Sequence, residues 1–263
     1  MKITMMLILP MLLCALQASN ITRDKALEDL ANAERAFAAT SVKKGYHQAF
    51  TEHLAEDGLV FAPTPTNGKK LHAEAPESKA LLTWYPAFAD ISGSLDWGYT
   101  TGPYEFRVNP EDEKPAGAGF YLSVWRKQPD GQWKVAIDMG NSFSPDLIKA
   151  ETYQPASALK QTIGKGSEKD LLTIDVQKVQ PYYTETLLYR HGEYPYKYKN
   201  ATTEPAETIV YTNLGHELSP AADMAYTYGN YTQNNITGHY LKVWKMLDGN
   251  WKLVAHNLVP DKK

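Results

Sequence analysis

Apolar residues recur at helical spacing near the start of the chain and give way to alternation farther on. Residues 24–39 have the spacing of an amphipathic helix, and Glu34 is the one polar residue in its apolar stripe. A second helix is predicted over residues 42–55 and a third, short one over residues 77–86. The N-terminal part of the protein is therefore predicted to be mainly helical, with one short strand at residues 58–61.

Beyond these helices the pattern is typical of β-structure. Residues 95–139 are rich in Tyr, Trp, Val and Thr and predict three long antiparallel strands. Asp130-Gly131 and Asp248-Gly249 are favoured turn pairs, because both residue types tolerate the positive φ angles that tight hairpins require. Two hairpins are therefore predicted, one near the middle of the chain and one near its end.

The two hairpins belong to a longer internal repeat. Residues 119–134 recur as residues 238–252 with one residue fewer before the turn, and residues 96–104 recur without gaps as residues 223–231. Two blocks in the same order at similar separation indicate a duplicated domain. We therefore predict a first domain over residues 22–140, a connection over 141–167, and a second domain with reduced helices over 168–260.

The N-terminal segment predicts export. Lys2 precedes an apolar stretch over residues 3–16, which is too short to span a bilayer and is followed by small and polar residues. A signal peptide over residues 1–18 and a secreted or periplasmic location are therefore expected. Cys14, the only cysteine, lies within this segment, so the mature chain is expected to lack disulfides and thiolate sites. Lipid anchoring at Cys14 is the alternative, and Leu13 before it disfavours lipoprotein processing.

Charge and motif content narrow the function classes. The formal net charge is −3 and no basic stripe is present, which argues against nucleic-acid binding. No histidine pair has metal-ligand spacing, and no phosphate-binding or dinucleotide fingerprint occurs. We therefore predict neither a metal site nor a cofactor.

The order of elements and the repeated motifs resemble the nuclear transport factor 2-like superfamily. The motifs are Asp-x-x-Tyr-Thr-x-Gly and Tyr-x-x-Val-Trp followed by Asp-Gly-x-Trp-Lys, and they look closest to the SnoaL-like and uncharacterised secreted branch. The resemblance implies an α+β class made of two tandem cone folds. In each, a bent antiparallel sheet wraps around N-terminal helices and leaves a cavity. Known members include ketosteroid isomerases, polyketide cyclases, dehydratases, hydrolases and non-catalytic binding modules, so the fold does not select an activity.

An enzyme of the isomerase or cyclase kind needs a base in the cavity and a hydroxyl donor. Asp138 is the candidate base, and the candidate cavity residues are Trp84, Trp97, Tyr99, Tyr121, Tyr226, Tyr240 and His256, of which His256 is the positional equivalent of Asp138. The alternative is that Asp138 and His256 are surface residues and that the aromatic residues only pack.

Three functions remain open at this point. The first is an exported protein that binds a small apolar molecule in the first domain, with the two domains packed as an intramolecular pseudo-dimer. The second is a SnoaL-like isomerase, cyclase or hydrolase that uses Asp138. The third is a non-catalytic interaction module whose cavities are filled by its own side chains.

Overall fold

The computed structural model describes residues 8–157, 165–177, 186–198 and 209–261. Three helices precede or interrupt the first strands: α1 (Ile8–Lys44), α2 (Tyr46–His53) and α3 (Gly68–Ala73). Gly45, at φ 87°, separates α1 from α2, so the second predicted helix begins later than expected. No described helix is long and apolar enough to cross a membrane.

The first sheet, sheet I, is formed by eight strands: β1 (Leu54–Phe61), β2 (Pro65–Asn67), β3 (Leu81–Trp84), β4 (Phe88–Ile91), β5 (Trp97–Arg107), β6 (Gly117–Lys127), β7 (Trp133–Phe143) and β8 (Gln154–Pro155). Their order is β2-β1-β7-β6-β5-β4-β8, with β3 also paired to β5. The helix predicted over residues 77–86 is wrong, because β3 occupies this segment and α3 lies earlier. The Asn67 side chain caps α3 by accepting a hydrogen bond from the Lys70 N–H at 2.8 Å.

Sheet II repeats this plan. It follows α4 (Glu168–Asp175) and contains β9 (Thr186–Arg190), β10 (Tyr196–Tyr198), β11 (Val210–Leu218), β12 (Met224–Gln233), β13 (Ile236–Leu247) and β14 (Asn250–Pro260). The order is β10-β9-β14-β13-β12-β11, and β9 runs parallel to β14 as β1 runs parallel to β7. The prediction of reduced helices in the second domain is confirmed for the described residues, in which α4 is the one α-helix of this domain.

The equivalence of the two sheets extends to their irregularities. The register between β6 and β7 shifts between Val124 and Trp125, and the register between β13 and β14 shifts at the equivalent Val243 and Trp244. Asp248-Gly249 forms the predicted two-residue turn, with φ angles of 51° and 75°. The first hairpin instead ends in a longer loop, in which only Gly131 has positive φ. This difference accounts for the one-residue deletion between the repeats.

The repeated glycine of the Asp-x-x-Tyr-Thr-x-Gly motif is required in both sheets because a side chain there would clash with backbone atoms. A Cβ on Gly102 would lie 2.0 Å from the Tyr85 carbonyl oxygen, and one on Gly229 would lie 2.0 Å from the Thr212 carbonyl oxygen. Both neighbours are backbone atoms, which cannot rotate away. The motif therefore marks close approach of an adjacent chain segment, a structural requirement rather than a chemical one.

Each sheet has one face toward its helices and one toward the other sheet. Side chains alternate along the strands, so neighbouring residues belong to different cores. The core between the sheets includes Leu122 and Val124 from sheet I and Leu241 and Val243 from sheet II, all fully buried. The opposite face of sheet I packs on α1 and α2 and forms a second core. The candidate site lies beside this second core.

Candidate functional site

A cavity opens between the helix-facing side of sheet I and the helices. Its volume is about 130 Å³. Its walls are mainly aromatic and apolar, and they are formed by Phe37, Phe50, Leu82, Trp84, Tyr104, Tyr121 and Gly140, with Ser123 and Asp138 as the polar members. We call this cavity the aromatic pocket. Asp138 is the only carboxylate that the described residues contribute to its lining.

Asp138 faces the aromatic pocket from the middle of β7, between Ile137 and Met139, which point to the other sheet. Ser123, its partner across β6, donates a hydrogen bond of 2.6 Å to Asp138 Oδ2. Burial raises the pKa of Asp138 to about 6, and the bond from Ser123 opposes this rise. The carboxyl group therefore changes its charge close to neutral pH.

A second carboxyl group, Glu34 of α1, lies fully buried behind the pocket wall. Its oxygens accept hydrogen bonds of 2.5 Å from Thr100 Oγ1, 2.5 Å from Trp84 Nε1 and 3.2 Å from Trp125 Nε1. Burial raises the pKa of Glu34 to about 7, these hydrogen bonds lower it, and the charge of Asp138 raises it. Glu34 was not among the candidates, although its place in an apolar stripe was the sequence signal for it.

Two tyrosine hydroxyls accompany Asp138 in the pocket. Tyr104 donates to the Asn141 carbonyl oxygen at 2.9 Å. The Tyr121 hydroxyl is buried and has no hydrogen-bond partner among the described residues. Burial, followed by the charges of Glu34 and Asp138, raises the pKa of Tyr121 well above its ordinary value. The nearby Thr100 hydroxyl opposes this rise without reaching hydrogen-bond geometry, and the phenol stays neutral.

The structure places the other candidates in three different environments. Trp84 and Tyr121 line the aromatic pocket with Asp138. Trp97, Tyr99 and Tyr226 lie in the core between the sheets instead, and the rings of Trp97 and Tyr226 stack with centroids 6.0 Å apart. Strand alternation explains this, because Thr100 and Tyr99 are adjacent in β5 and only Thr100 faces the helices.

Tyr240 and His256 lie on the helix-facing side of sheet II. His256 pairs with Lys242 as Asp138 pairs with Ser123, so the positional equivalence holds. His256 is not a surface residue, since it is 3% exposed, and burial, then the positive charges of Lys242 and Arg190, lowers its pKa well below the ordinary value. Tyr240 donates a hydrogen bond of 2.5 Å to Asp175 Oδ2.

The part of the chain that the structure describes contains no cluster of potential metal-ligand side chains. Within it, no three His, Cys, Asp or Glu side chains lie close enough together to hold a metal ion. The nearest approach between histidines is that of His47 and His72, whose Nδ1 atoms are 2.9 Å apart.

The architecture of sheet I with its helices agrees with the repeated motifs. Its antiparallel strands β7-β6-β5-β4 wrap around N-terminal helices, its first strand runs parallel to its last long one, and a pocket opens between helices and sheet. Sheet I and its helices therefore have the α+β cone architecture that the motifs predict. The six strands of sheet II have the order of their counterparts in sheet I, with less helix among the described residues.

Comparisons with solved structures concern this fold alone. A cystatin-like-fold protein of unknown function from Nostoc punctiforme is 19% identical, with 43% of this chain and 88% of that chain covered and a TM-score of 0.35. A ketosteroid isomerase-like protein from Erwinia carotovora is 16% identical, covering 44% and 95%, with a TM-score of 0.35. A putative scytalone dehydratase from Novosphingobium aromaticivorans is 14% identical, covering 52% and 95%, with a TM-score of 0.37. No protein-family model and no curated protein sequence matches this chain.

Proposed function

We propose that the aromatic pocket binds a small, largely apolar molecule of about one ring. The size follows from the volume of about 130 Å³. A cavity of about 150 Å³ with apolar walls is known to hold benzene in another protein. Aromatic walls with few polar groups are the usual composition of small-molecule sites.

The observation that carries the proposal is the Tyr121 hydroxyl, which is buried and has no partner among the described residues. Buried polar groups in folded proteins are almost always hydrogen-bonded, so an exception at a cavity needs an explanation. A ligand polar group in the pocket would satisfy this hydroxyl, which can either donate a hydrogen bond or accept one. The carboxyl group of Asp138 offers a second polar contact in the same cavity.

Phenol and toluene test this proposal on the mature chain by isothermal titration calorimetry. Tyr121→Phe is expected to weaken phenol binding by about 2- to 10-fold and to leave toluene binding unchanged, because only phenol can pair with the lost hydroxyl. Tyr85→Phe is the matched control, since this side chain is 40% exposed and lies outside the pocket. The proposal fails if neither compound binds to the wild-type protein.

A second candidate function is proton transfer by Asp138. It is favoured by the pKa of about 6 for Asp138 and by the phenols of Tyr104 and Tyr121 in the same pocket.

If Asp138 is a general base, the protein should speed the exchange of α-hydrogens of cyclopentanone for deuterium. The exchange rate should rise as pH increases through about 6, because the ionised carboxylate is the base. Asp138→Asn should lower the catalysed rate by about 10²- to 10⁴-fold. The exposed Asp146→Asn is the control, and equal rates in both variants would exclude this role.

We also propose that the chain is exported and that its two domains form an intramolecular pseudo-dimer. The N-terminal pattern supports export, and contacts across the sheets support pairing: Asn257 Nδ2 donates to the Met139 carbonyl oxygen at 2.9 Å, and Arg126 pairs with Glu217 at 2.6 Å. Pairing of β8 with β4 supports a first domain that reaches beyond residue 140.

Mass spectrometry of the protein purified from its host tests the export proposal. The measured mass should correspond to a chain that starts near Ser19. A lipid-modified Cys14 would support anchoring instead.

A further inference from the structure

The site in sheet II that corresponds to the aromatic pocket contains an ammonium group of the protein itself. Lys242 occupies the register position of Ser123, and its side chain is 1% exposed. Its Nζ lies 3.6 Å from the ring centroid of Tyr211 and 4.8 Å from that of Tyr240, the equivalent of Tyr121. A cation over aromatic faces at such distances is favourable, particularly when water is excluded.

A helix carboxylate accompanies this ammonium group. Lys242 Nζ lies 3.5 Å from Asp175 Oδ1, at the end of α4. Asp175 accepts a hydrogen bond of 2.6 Å from Thr227, and Trp244 donates to the same threonine at 2.9 Å. Sheet II therefore combines an acid, an aromatic enclosure and a cation.

Sheet I repeats the acid and its partners. Glu34 accepts from Thr100, and Trp125 donates to that threonine at 2.9 Å. Thr100 and Trp125 are the repeat equivalents of Thr227 and Trp244, so Glu34 stands in the network as Asp175 does in sheet II. The two sheets thus share an acid–threonine–tryptophan arrangement.

What sheet I lacks is the cation. Among the described residues, no Lys, Arg or His nitrogen lies within 4.0 Å of the carboxylate oxygens of Glu34 or Asp138. The short side chain of Ser123 leaves open the space that Lys242 fills in sheet II. Two carboxyl groups and five aromatic residues consequently surround or adjoin a cavity that contains no positive charge.

We propose that the ligand of the aromatic pocket is a small protonated amine with one ring, whose ammonium group contacts Asp138 at the position that corresponds to the Lys242 ammonium in sheet II. This inference rests on the proposed binding function and assigns the chemical class of its ligand. The ring lies against Trp84 and Tyr104 and the ammonium group donates to Asp138 Oδ1, the oxygen that Ser123 leaves free.

The pH dependence of binding follows from the charges. A cationic ligand prefers the ionised carboxylate, so affinity increases as pH rises through about 6 for Asp138 and about 7 for Glu34. A neutral ligand bonded to a protonated acid has the opposite dependence. Tyr104 and Tyr121 line the pocket, and Glu34 lies behind its wall. His53 and His72 stack on the lining rings of Phe37 and Phe50. Burial lowers the pKa of both histidines to about 4, so they stay neutral from pH 5 to 8.

Benzylamine, benzyl alcohol and toluene distinguish the possibilities in calorimetric titrations of the mature chain at pH 5 and pH 8. Benzylamine is expected to bind about 10-fold or more tightly than benzyl alcohol at pH 8, since a hydrogen bond to a charged group is stronger than a neutral one. The ratio should fall toward pH 5. In Asp138→Asn the preference for the amine should disappear while toluene still binds.

Ser123→Lys tests the comparison between the two sheets directly. The introduced ammonium is expected to occupy the pocket as Lys242 does, so that all three probes lose affinity while the circular dichroism spectrum stays unchanged. Gln132→Lys adds the same charge at an exposed hairpin position and should bind all three like the wild type.

The outcomes separate this inference from the proposed function. Equal affinity of amine and alcohol at pH 8 would overturn the amine assignment and leave small-molecule binding in place. Failure of every probe to bind wild-type protein would overturn both. If Ser123→Lys does not fold, the Asp138→Asn result decides alone.

Discussion

Asp90→Asn is expected to lower the free energy of unfolding by about 3–5 kcal/mol, the cost of removing one partner from a buried ion pair. Asp90 Oδ2 lies 2.7 Å from Lys245 Nζ and Asp90 Oδ1 lies 3.3 Å from Arg23 Nη2, so one carboxylate pairs with two cations. Lys245 comes from sheet II, Asp90 from sheet I and Arg23 from α1. Burial lowers the pKa of Lys245, and Asp90 opposes that change, so removing the charge leaves the ammonium uncompensated.

Thermal and denaturant unfolding measure this effect. For a chain of this size the expected loss corresponds to a decrease in Tm of about 6–20 °C. Asp24→Asn is the matched control, because Asp24 is 74% exposed and lies 3.7 Å from the same Arg23 side chain; its effect should stay within about 0.5 kcal/mol. Adding Lys245→Met to Asp90→Asn should recover part of the stability, since an apolar side chain has no charge to compensate. A stability loss below about 1 kcal/mol for Asp90→Asn would contradict the role of this ion pair.

A chain that ends at residue 157 is expected to self-associate in solution. Without sheet II, the face of sheet I that carries Leu122, Val124 and Ile137, each fully buried in the whole chain, becomes exposed to water. A contiguous apolar face of this kind is typical of interaction surfaces and is unfavourable on a monomer. Residues 20–157 include β8, which pairs with β4, so the fragment contains every described strand of sheet I. Sedimentation or light scattering should show dimers or larger species, while residues 20–263 behave as a monomer.

The control for this experiment is the same fragment with Leu122→Lys and Val124→Lys. Both side chains would then project into solvent, where lysine is suitable, so this fragment should remain monomeric. In the whole chain the same two changes would place ammonium groups between the sheets and should prevent folding. A monomeric unmodified fragment that exposes no apolar surface would contradict the pseudo-dimer.

The aromatic pocket was only partly predictable. Asp138 was identifiable because its residue type and its place in a repeated strand suited a base, and the structure does bring it together with Trp84 and Tyr121. Trp97 and Tyr99 are aromatic residues of a repeated block, and they pack between the sheets. The repeat alone does not reveal which face of a strand is turned toward the helices, because both faces of sheet I are buried.

Glu34 illustrates the opposite case. Its position was visible as a polar interruption in an apolar helix stripe, yet its role depends on Thr100, Trp84 and Trp125, which lie 50 to 91 residues away in sequence. Such contacts exist only after the sheet has wrapped around α1. The lack of a hydrogen-bond partner for the Tyr121 hydroxyl among the described residues is likewise a property of the assembled cavity.

The sequence by itself determined the duplication of motifs, the class of the fold, the long strands and both hairpin positions, because these depend on local propensity, alternation and turn chemistry. The tertiary structure alone decided that one helix-facing site is open while the other is filled by Lys242. It also decided that Asp90 pairs with cations from two distant segments. The physical reason is that burial and charge compensation depend on which side chains long-range packing brings together. The local sequence around a residue does not indicate which distant residue it will contact.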